Sequence, residues 1–272
     1  MRLHDEIELP MTKILAQMEY DGVALDIDYM SELSEYMSKK ASEYEAKIFE
    51  IAGEEFNINS PKQVGEILYN KLNIQLKKKK GRTKLSTNVE VLEELAEEYP
   101  ICRYLIDYRK YTKLRTTYTD ALPLLVSLKD RRIHTTYNQT VTATGRLSSS
   151  NPNLQNIPIR TEEGNKLRNA FIAENENDFI LSSDYSQIEL RLLAHVSGDE
   201  NLISAFNSDV DVHSLTASKV FDVPVEQVTK EMRYKSKAVN FGIIYGQTRY
   251  GLAKALDIPA QEAQNFIDKY FM

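Results

Sequence analysis

The sequence predicts an α+β protein, mostly helical, with a small sheet near its middle. Three observations carry this. The first ~125 residues repeat apolar side chains at helical spacing; the tract after Asp130 turns rich in threonine and tyrosine, as strands are; and from about Gln187 the helical pattern returns. The chain has 272 residues, which against a typical domain of roughly 150 residues means one large domain or two small ones. A hydrophobic fraction of 42% and a charged fraction of 27% belong to a globular protein able to bury a core.

Glu8 to Tyr20 carries Leu9, Ile14, Leu15 and Met18 at helical spacing, and Asp21-Gly22 breaks the pattern. Met30 to Ile51 is a long amphipathic stretch with Leu33, Met37, Ala41, Tyr44 and Ile48 on one face. Ser60-Pro61-Lys62-Gln63 reads as a helix start, with serine as N-cap, proline in the first turn and glutamine three residues on; Thr87-Asn88-Val89-Glu90 reads as a second capping box. Between them, Lys77 to Lys84 holds six basic residues in eight and is expected to be an exposed, mobile loop. A further helix is expected over Cys102 to Leu125. Arg131 to Thr140 reads as a strand, Thr142 to Pro158 as polar and turn-rich, and Ala170–Ala173 and Phe179–Ser183 as two short strands. A helix follows over Gln187 to Val196, and later helices start near Asp211, Val225, Thr229 and Pro259.

No apolar run approaches the ~18 residues of a membrane span, and the amino terminus lacks a signal-peptide pattern. The single cysteine, Cys102, excludes an internal disulfide and a multi-cysteine zinc site, so a reducing cytoplasm is expected. The net charge is −6, which by itself does not advertise nucleic-acid binding. Locally the picture differs: the lysine loop is strongly basic, and no acidic residue falls between Arg131 and Thr161.

Three constellations can carry chemistry. In the first, the apolar run Phe179 to Ser183 delivers Asp184 just before a helix, with Glu189 five residues on. An exposed, rigidly held carboxylate suits Mg²⁺, which takes one or two carboxylates together with substrate phosphates and water. An Asp there also suits a plain helix cap. In the second, Arg233, Lys237, Phe241 and Tyr245 recur every four residues and share an arc of roughly 120° on one helix face. Cations suit phosphates and aromatics suit a stacked base; alternatively the aromatics pack inward and the cations are solvated. Gly242 and Gly246, read as part of the same helix, each cost about 1 kcal/mol relative to alanine and suggest a close approach by a ligand or another element. In the third, Thr142 to Asn156 is dense in hydroxyls and amides, with one arginine. That suits phosphate, sugar or base edges, or an ordinary polar loop.

Assembled in order, Thr144-Gly145-Arg146-Leu147-Ser148-Ser149, Asn153-Leu154-Gln155-Asn156-Ile157-Pro158, Asp184-Tyr185-Ser186-Gln187-Ile188-Glu189-Leu190-Arg191 and Arg233 to Gly246 resemble the family A DNA polymerases. The likeness covers essentially the whole chain, including its opening at Glu8-Leu9-Pro10, Met18-Glu19 and Gly22-Val23. It implies a right-hand polymerase fold with a small antiparallel palm sheet: residues 1–20 at the base of the palm, 21–125 as thumb, 126–186 as partial palm and 187–272 as partial fingers. It implies template-directed DNA synthesis, transferring a nucleotide from dNTP to a primer 3′-hydroxyl with two Mg²⁺ ions, on primer–template DNA near the nucleoid.

The resemblance assigns Asp184 and Lys237 catalytic roles, with Asp184 and the Tyr185 backbone carbonyl as metal ligands. Gln187, Glu189, His213, Arg233, Lys237, Phe241 and Tyr245 match nucleotide-binding positions: Glu189 excludes a sugar 2′-hydroxyl, and Arg233 and Lys237 hold the triphosphate. Arg146, Asn153 and Gln155 match primer–template contacts. The family's later motif, a His-Asp-Glu hairpin bearing the second metal-binding aspartate, has no match after Tyr245. His4-Asp5-Glu6 mimics its core but precedes a helix and is discounted. The chain is therefore expected to be inactive alone, with a complementary carboxyl-terminal fragment as candidate partner. The alternatives are a non-catalytic remnant that binds primer–template or nucleotide, and an unrelated helical interaction protein.

Overall fold

The computed structural model describes residues 2–75, 86–159, 161–175, 177–208, 211–256 and 258–271; the lysine loop at 77–84 lies outside them. The chain forms two units, Met1–Leu181 and Ser182–Met272.

In the first unit α1 (Leu9–Asp21) leads through Gly22, at φ 59°, into β1 (Val23–Leu25) and the long α2 (Ile27–Ala52). A Cβ at Gly22 would stand 2.8 Å from the Ile133 carbonyl, so only glycine fits this turn. Asp26 caps α2 by accepting from the Tyr29 amide at 2.9 Å, and Gly53 closes it in the left-handed conformation. The buried positions of α2, Met30, Leu33, Met37, Ala41, Ile48 and Ala52, form one stripe at helical spacing. The stripe packs on α5 (Pro100–Leu114), which buries Ile101, Cys102, Leu105, Tyr108 and Tyr111. Two short helices, α3 (Pro61–Gly65) and α4 (Val89–Ala96), complete this core.

Across α5 a polar lock holds α6 (Glu162–Asn169). Glu163, 9% exposed, accepts from Tyr111 Oη at 2.8 Å and Lys110 Nζ at 3.0 Å. Burial pushes the Glu163 carboxyl up, but the hydrogen bonds from Lys110, the backbone and Tyr111 more than offset it and leave the group below its ordinary value.

The sheet is antiparallel, in the order β2 (Arg132–Ile133), β1, β5 (Phe171–Ile172), with Val23 opposite Ile133 and Leu25 opposite Phe171. A separate pair joins β3 (Thr136–Asn138) to β4 (Ser148–Ser150). The expected strand over 131–140 is thus two strands in two sheets. The chain turns between them because His134 is held by the Glu19 carbonyl (2.7 Å) and Asp130 (2.9 Å), and Thr135 by Ser149 and the Pro152 carbonyl (both 2.7 Å). β4 lies inside the tract expected to be turns only, and β1 and α6 were not foreseen. Thr161 caps α6, accepting from the Gly164 amide at 3.1 Å.

Other expectations shift. Asn88, not Thr87, caps α4, through the Val91 amide at 3.0 Å; Asn reaches the same orphan amides from one residue later. The helix expected over 102–125 starts at Pro100 and loosens into a π-helical turn at Arg115–Thr119. The segment 179–183 forms no strand: no described strand pairs with it, and Phe179, Ile180 and Leu181 remain exposed. His4–Glu8 is an exposed helical turn, in keeping with discounting His4-Asp5-Glu6.

The second unit is helical: α7 (Ile188–Ser197), α8 (Glu200–Asn207), α9 (Val212–Phe221), α10 (Lys230–Ile244), α11 (Arg249–Leu256) and α12 (Ala260–Phe271), with a single 3₁₀ turn at Val225–Gln227. Its core joins Val220, Val239, Leu252, Leu256, Ala263 and Phe266. Gly246 lies beyond α10, at φ 65°, and not within it. No helix among the described residues is long and apolar enough to cross a membrane.

Candidate active site

Asp184 sits on an exposed segment without regular secondary structure that leads into α7. It does not cap that helix. The N-cap is Gln187, in a left-handed conformation (φ 53°, ψ 42°), and no side chain caps α7. This removes the capping alternative and leaves the carboxylate presented to solvent beside the exposed Tyr185. Leu190, fully buried, anchors the start of α7. Arg191 braces the turn: its Nε donates to the Ser186 carbonyl at 2.9 Å, and its guanidinium lies 4.6 Å from the centre of the Phe206 ring on α8. The Gln187 side-chain oxygen is buried and has no hydrogen-bond partner. A left-handed non-glycine residue with an unsatisfied amide is a costly arrangement of the sort that gathers at functional sites. Glu189 is half-buried in the first turn of α7.

The face of α10 is open. Its buried residues are Ser236, Val239, Asn240 and Gly242, whereas Arg233, Lys237 and Tyr245 are exposed and Phe241 is half-buried. Of the two aromatics, Tyr245 therefore does not pack inward, and Phe241 is covered in part by His213. Phe241 and Tyr245 stack with ring centroids 6.5 Å apart and planes 12° apart, and the Lys237 ammonium lies 6.0 Å from the Phe241 centroid. The close approach that Gly242 permits is by Gln247, whose side chain would meet a Cβ there.

His213, in the first turn of α9, lies against this face with its ring centroid 5.9 Å from that of Phe241. Arg233 is held by Asp211, a residue to which the sequence reading gave no role beyond starting a helix. The carboxylate accepts Arg233 Nε at 2.7 Å and Nη2 at 3.1 Å while also capping α9 through the Ser214 amide at 3.0 Å and hydroxyl at 2.6 Å. Burial pushes Asp211 up, but the Arg233 and Ser214 hydrogen bonds bring its pKa down to about 2. Burial pushes His213 down; Asp211 opposes this, and Arg233 and Lys237 add to it. Asn240, also missed, is signalled by an amide four residues after Ser236 on the buried face of α10, since buried amides need partners.

Arg146, Asn153 and Gln155 lie in the first unit, all three exposed and outside helices and strands. Asn153 accepts from the Gln155 amide at 3.0 Å, and Ser149 accepts from the Leu154 amide at 3.0 Å. These bonds shape the turn after β4. A cleft of about 390 Å³ beside Asn153 is lined also by Lys113, Thr117, Tyr118 and Asn156. Lys113 and Thr117 were not singled out in the sequence.

A sequence model of DNA polymerase family A matches residues 27–272. The chain belongs to DNA polymerase family A. It is 50% identical over 270 residues to DNA polymerase I of Bacillus subtilis (strain 168), covering 99% of this chain and 31% of that protein. It is 48% identical over 270 residues to the thermostable DNA polymerase I of Thermus aquaticus, covering 99% of this chain and 32% of that one. Among solved structures it matches the POL domain of Pol1 from M. smegmatis in complex with DNA primer-template and dNTP. That match has a TM-score of 0.88 and 39% identity over 99% of this chain and 47% of the other. The fold is thus that of a family A polymerase domain, and the chain spans about a third of the length of these curated relatives.

Proposed function

We propose that this chain is the part of a family A DNA polymerase that binds dNTP and primer–template DNA for template-directed DNA synthesis. The observation that carries the reading is the open α10 face: two cations, then two stacked aromatics, with His213 alongside. Arg233 and Lys237 hold the triphosphate by charge-assisted hydrogen bonds. Phe241 and Tyr245 offer ring faces to the sugar and the base pair. Glu189 crowds the sugar 2′ position, Gln187 lies near the incoming nucleotide, and Arg146, Asn153 and Gln155 bear on the DNA. On this reading residues 1–20 belong to the palm base, 21–125 to the thumb, 126–186 to the palm and 187–272 to the fingers.

Asp184 and the Tyr185 carbonyl are hard oxygen donors. No group of three or more His, Cys, Asp or Glu side chains gathers among the described residues, so this donor set fits Mg²⁺ only with water and substrate phosphate as further ligands. When bound, the metal lowers the pKa of the primer 3′-hydroxyl and neutralises charge developing on the α-phosphate. No counterpart of the second carboxylate of the family's two-metal site follows Tyr245 in these 272 residues, and on this reading two-metal synthesis needs that carboxylate as well.

Primer extension tests this. The pure chain is expected to extend no primer, and extension is expected when the second half is supplied separately. Activity of the chain alone would overturn the second-carboxylate reading, and inactivity of the mixture despite binding would favour a non-catalytic remnant.

A further inference from the structure

His213 and Asn240 are 3% and 0% exposed, and they meet between α9 and α10. Asn240 Nδ2 lies 2.9 Å from His213 Nδ1, and Asn240 Oδ1 accepts from Thr216 Oγ1 at 3.0 Å. Thr216 Oγ1 also lies 2.9 Å from the Val212 carbonyl, and its single proton serves one of these two acceptors, so the orientation of the amide follows from which one it serves. With its oxygen turned to the threonine hydroxyl, its N–H₂ faces the ring, and a nitrogen facing a donor must be the unprotonated one. The neutral imidazole then carries its proton on Nε2, which makes no hydrogen bond among the described residues.

We infer that Asn240 is a positioning residue that fixes His213 as the neutral Nε2–H tautomer, so that the ring offers a phosphate oxygen a hydrogen-bond donor and not a third full positive charge. The choice of ligand rests on the nucleotide reading given above; the tautomer does not. Among the described residues, the charged groups acting on the ring are Asp211, the N-cap of its own helix, and Arg233 and Lys237 from α10, and no described group of α8 or α12 adds to them. Two cations and burial disfavour an imidazolium here, and one carboxylate favours it. A donor on Nδ1 adds to the first side, because protonating that nitrogen would bring two donors face to face. The arrangement suits a step in which pyrophosphate must leave. Arg233 and Lys237 supply the charge, and a neutral donor orients the phosphate without tightening its hold further.

The test is the long-range ¹H–¹⁵N correlation spectrum of the chain labelled with ¹⁵N-histidine. The chain has four histidines, and His213→Gln identifies the signal. The expected result is an unprotonated Nδ1 and a protonated Nε2 at neutral pH. An Nδ1–H tautomer, or an imidazolium at neutral pH, would overturn the inference, and this holds on the unsubstituted chain alone. In Asn240→Asp the new carboxylate can only accept, so His213 is expected to protonate on Nδ1 and its titration to rise by about one pH unit or more. An unchanged tautomer and titration in a folded Asn240→Asp chain would also overturn it. Inorganic triphosphate is then added to the unsubstituted chain. A shift of the His213 Nε2 resonance supports the phosphate-facing role; the expected tautomer without any shift leaves Asn240's role standing and overturns the nucleotide reading of this face.

Discussion

Asp211 holds Arg233 by two hydrogen bonds, Nε to Oδ2 at 2.7 Å and Nη2 to Oδ1 at 3.1 Å. The guanidinium assigned to the triphosphate is therefore already paired with a carboxylate, and an incoming phosphate must compete for it. The same carboxylate caps α9, so one residue ties the helix start to the cationic end of α10.

Asp211→Asn follows directly. Asparagine caps a helix about as well as aspartate but no longer neutralises Arg233. Binding of dNTP or inorganic triphosphate is expected to tighten by about two- to fivefold, the range of a partly exposed ion pair, as read by calorimetric titration. The carboxyl pKa is depressed to about 2 from an ordinary 3.8. Its stabilisation is thus fully present above pH ~4 and lost as pH falls toward ~2. With solvent screening it amounts to no more than about 1 kcal/mol. The difference in urea stability between the chain and the variant is expected to shrink over that acidic window.

Glu189→Ala, in the enzyme reconstituted with a second half, is expected to relax discrimination against ribonucleotides. The ratio of kcat/KM for dNTP over rNTP measures it. Unchanged selectivity would remove Glu189 from the sugar position.

Glu163→Gln acts on stability. It removes the nearer of the two carboxylates beside the Lys110 ammonium, leaving Asp107 at 3.8 Å, and disturbs the Tyr111 bond at a nearly buried position. A loss of about 1–3 kcal/mol is expected, read as a lower urea midpoint. The carboxyl is depressed, so its contribution is present above the unfolded carboxylate range and declines as acid protonates the folded state. The variant's curve is accordingly flatter toward low pH.

Cys102 is fully buried in the α2–α5 core, and burial pushes its thiol up to about 11. It is expected to resist alkylation in the native chain at neutral pH. Labelling with a thiol reagent should track global unfolding in urea, and fast labelling of the folded chain would contradict the packing.

Much of this was legible in the residues. The α2 stripe follows from spacing alone, because one face of a long helix must be buried. Ser60 and Thr229 announce helix starts through local hydrogen bonds that need no distant partner. The order Arg233, Lys237, Phe241, Tyr245 places four side chains on one arc by helical geometry. The short strands were harder. β1, β2 and β5 are two or three residues long, too short for a period to show, and they exist only because each finds an edge to pair with. By the same rule the apolar run at 179–183 has strand composition and no strand.

The sequence by itself determined the long amphipathic helices, the family and the identities of the reactive side chains, since these depend on local spacing and on ordered motifs. Only the tertiary structure decided which partner each side chain faces. It left Tyr245 exposed and Phe241 half-buried beside His213, gave Arg233 to Asp211 across a gap of 22 residues, and set His213 against Asn240 across 27. Hydrogen bonds and ion pairs act over a few ångströms in space whatever the separation along the chain, so packing alone brings such partners together.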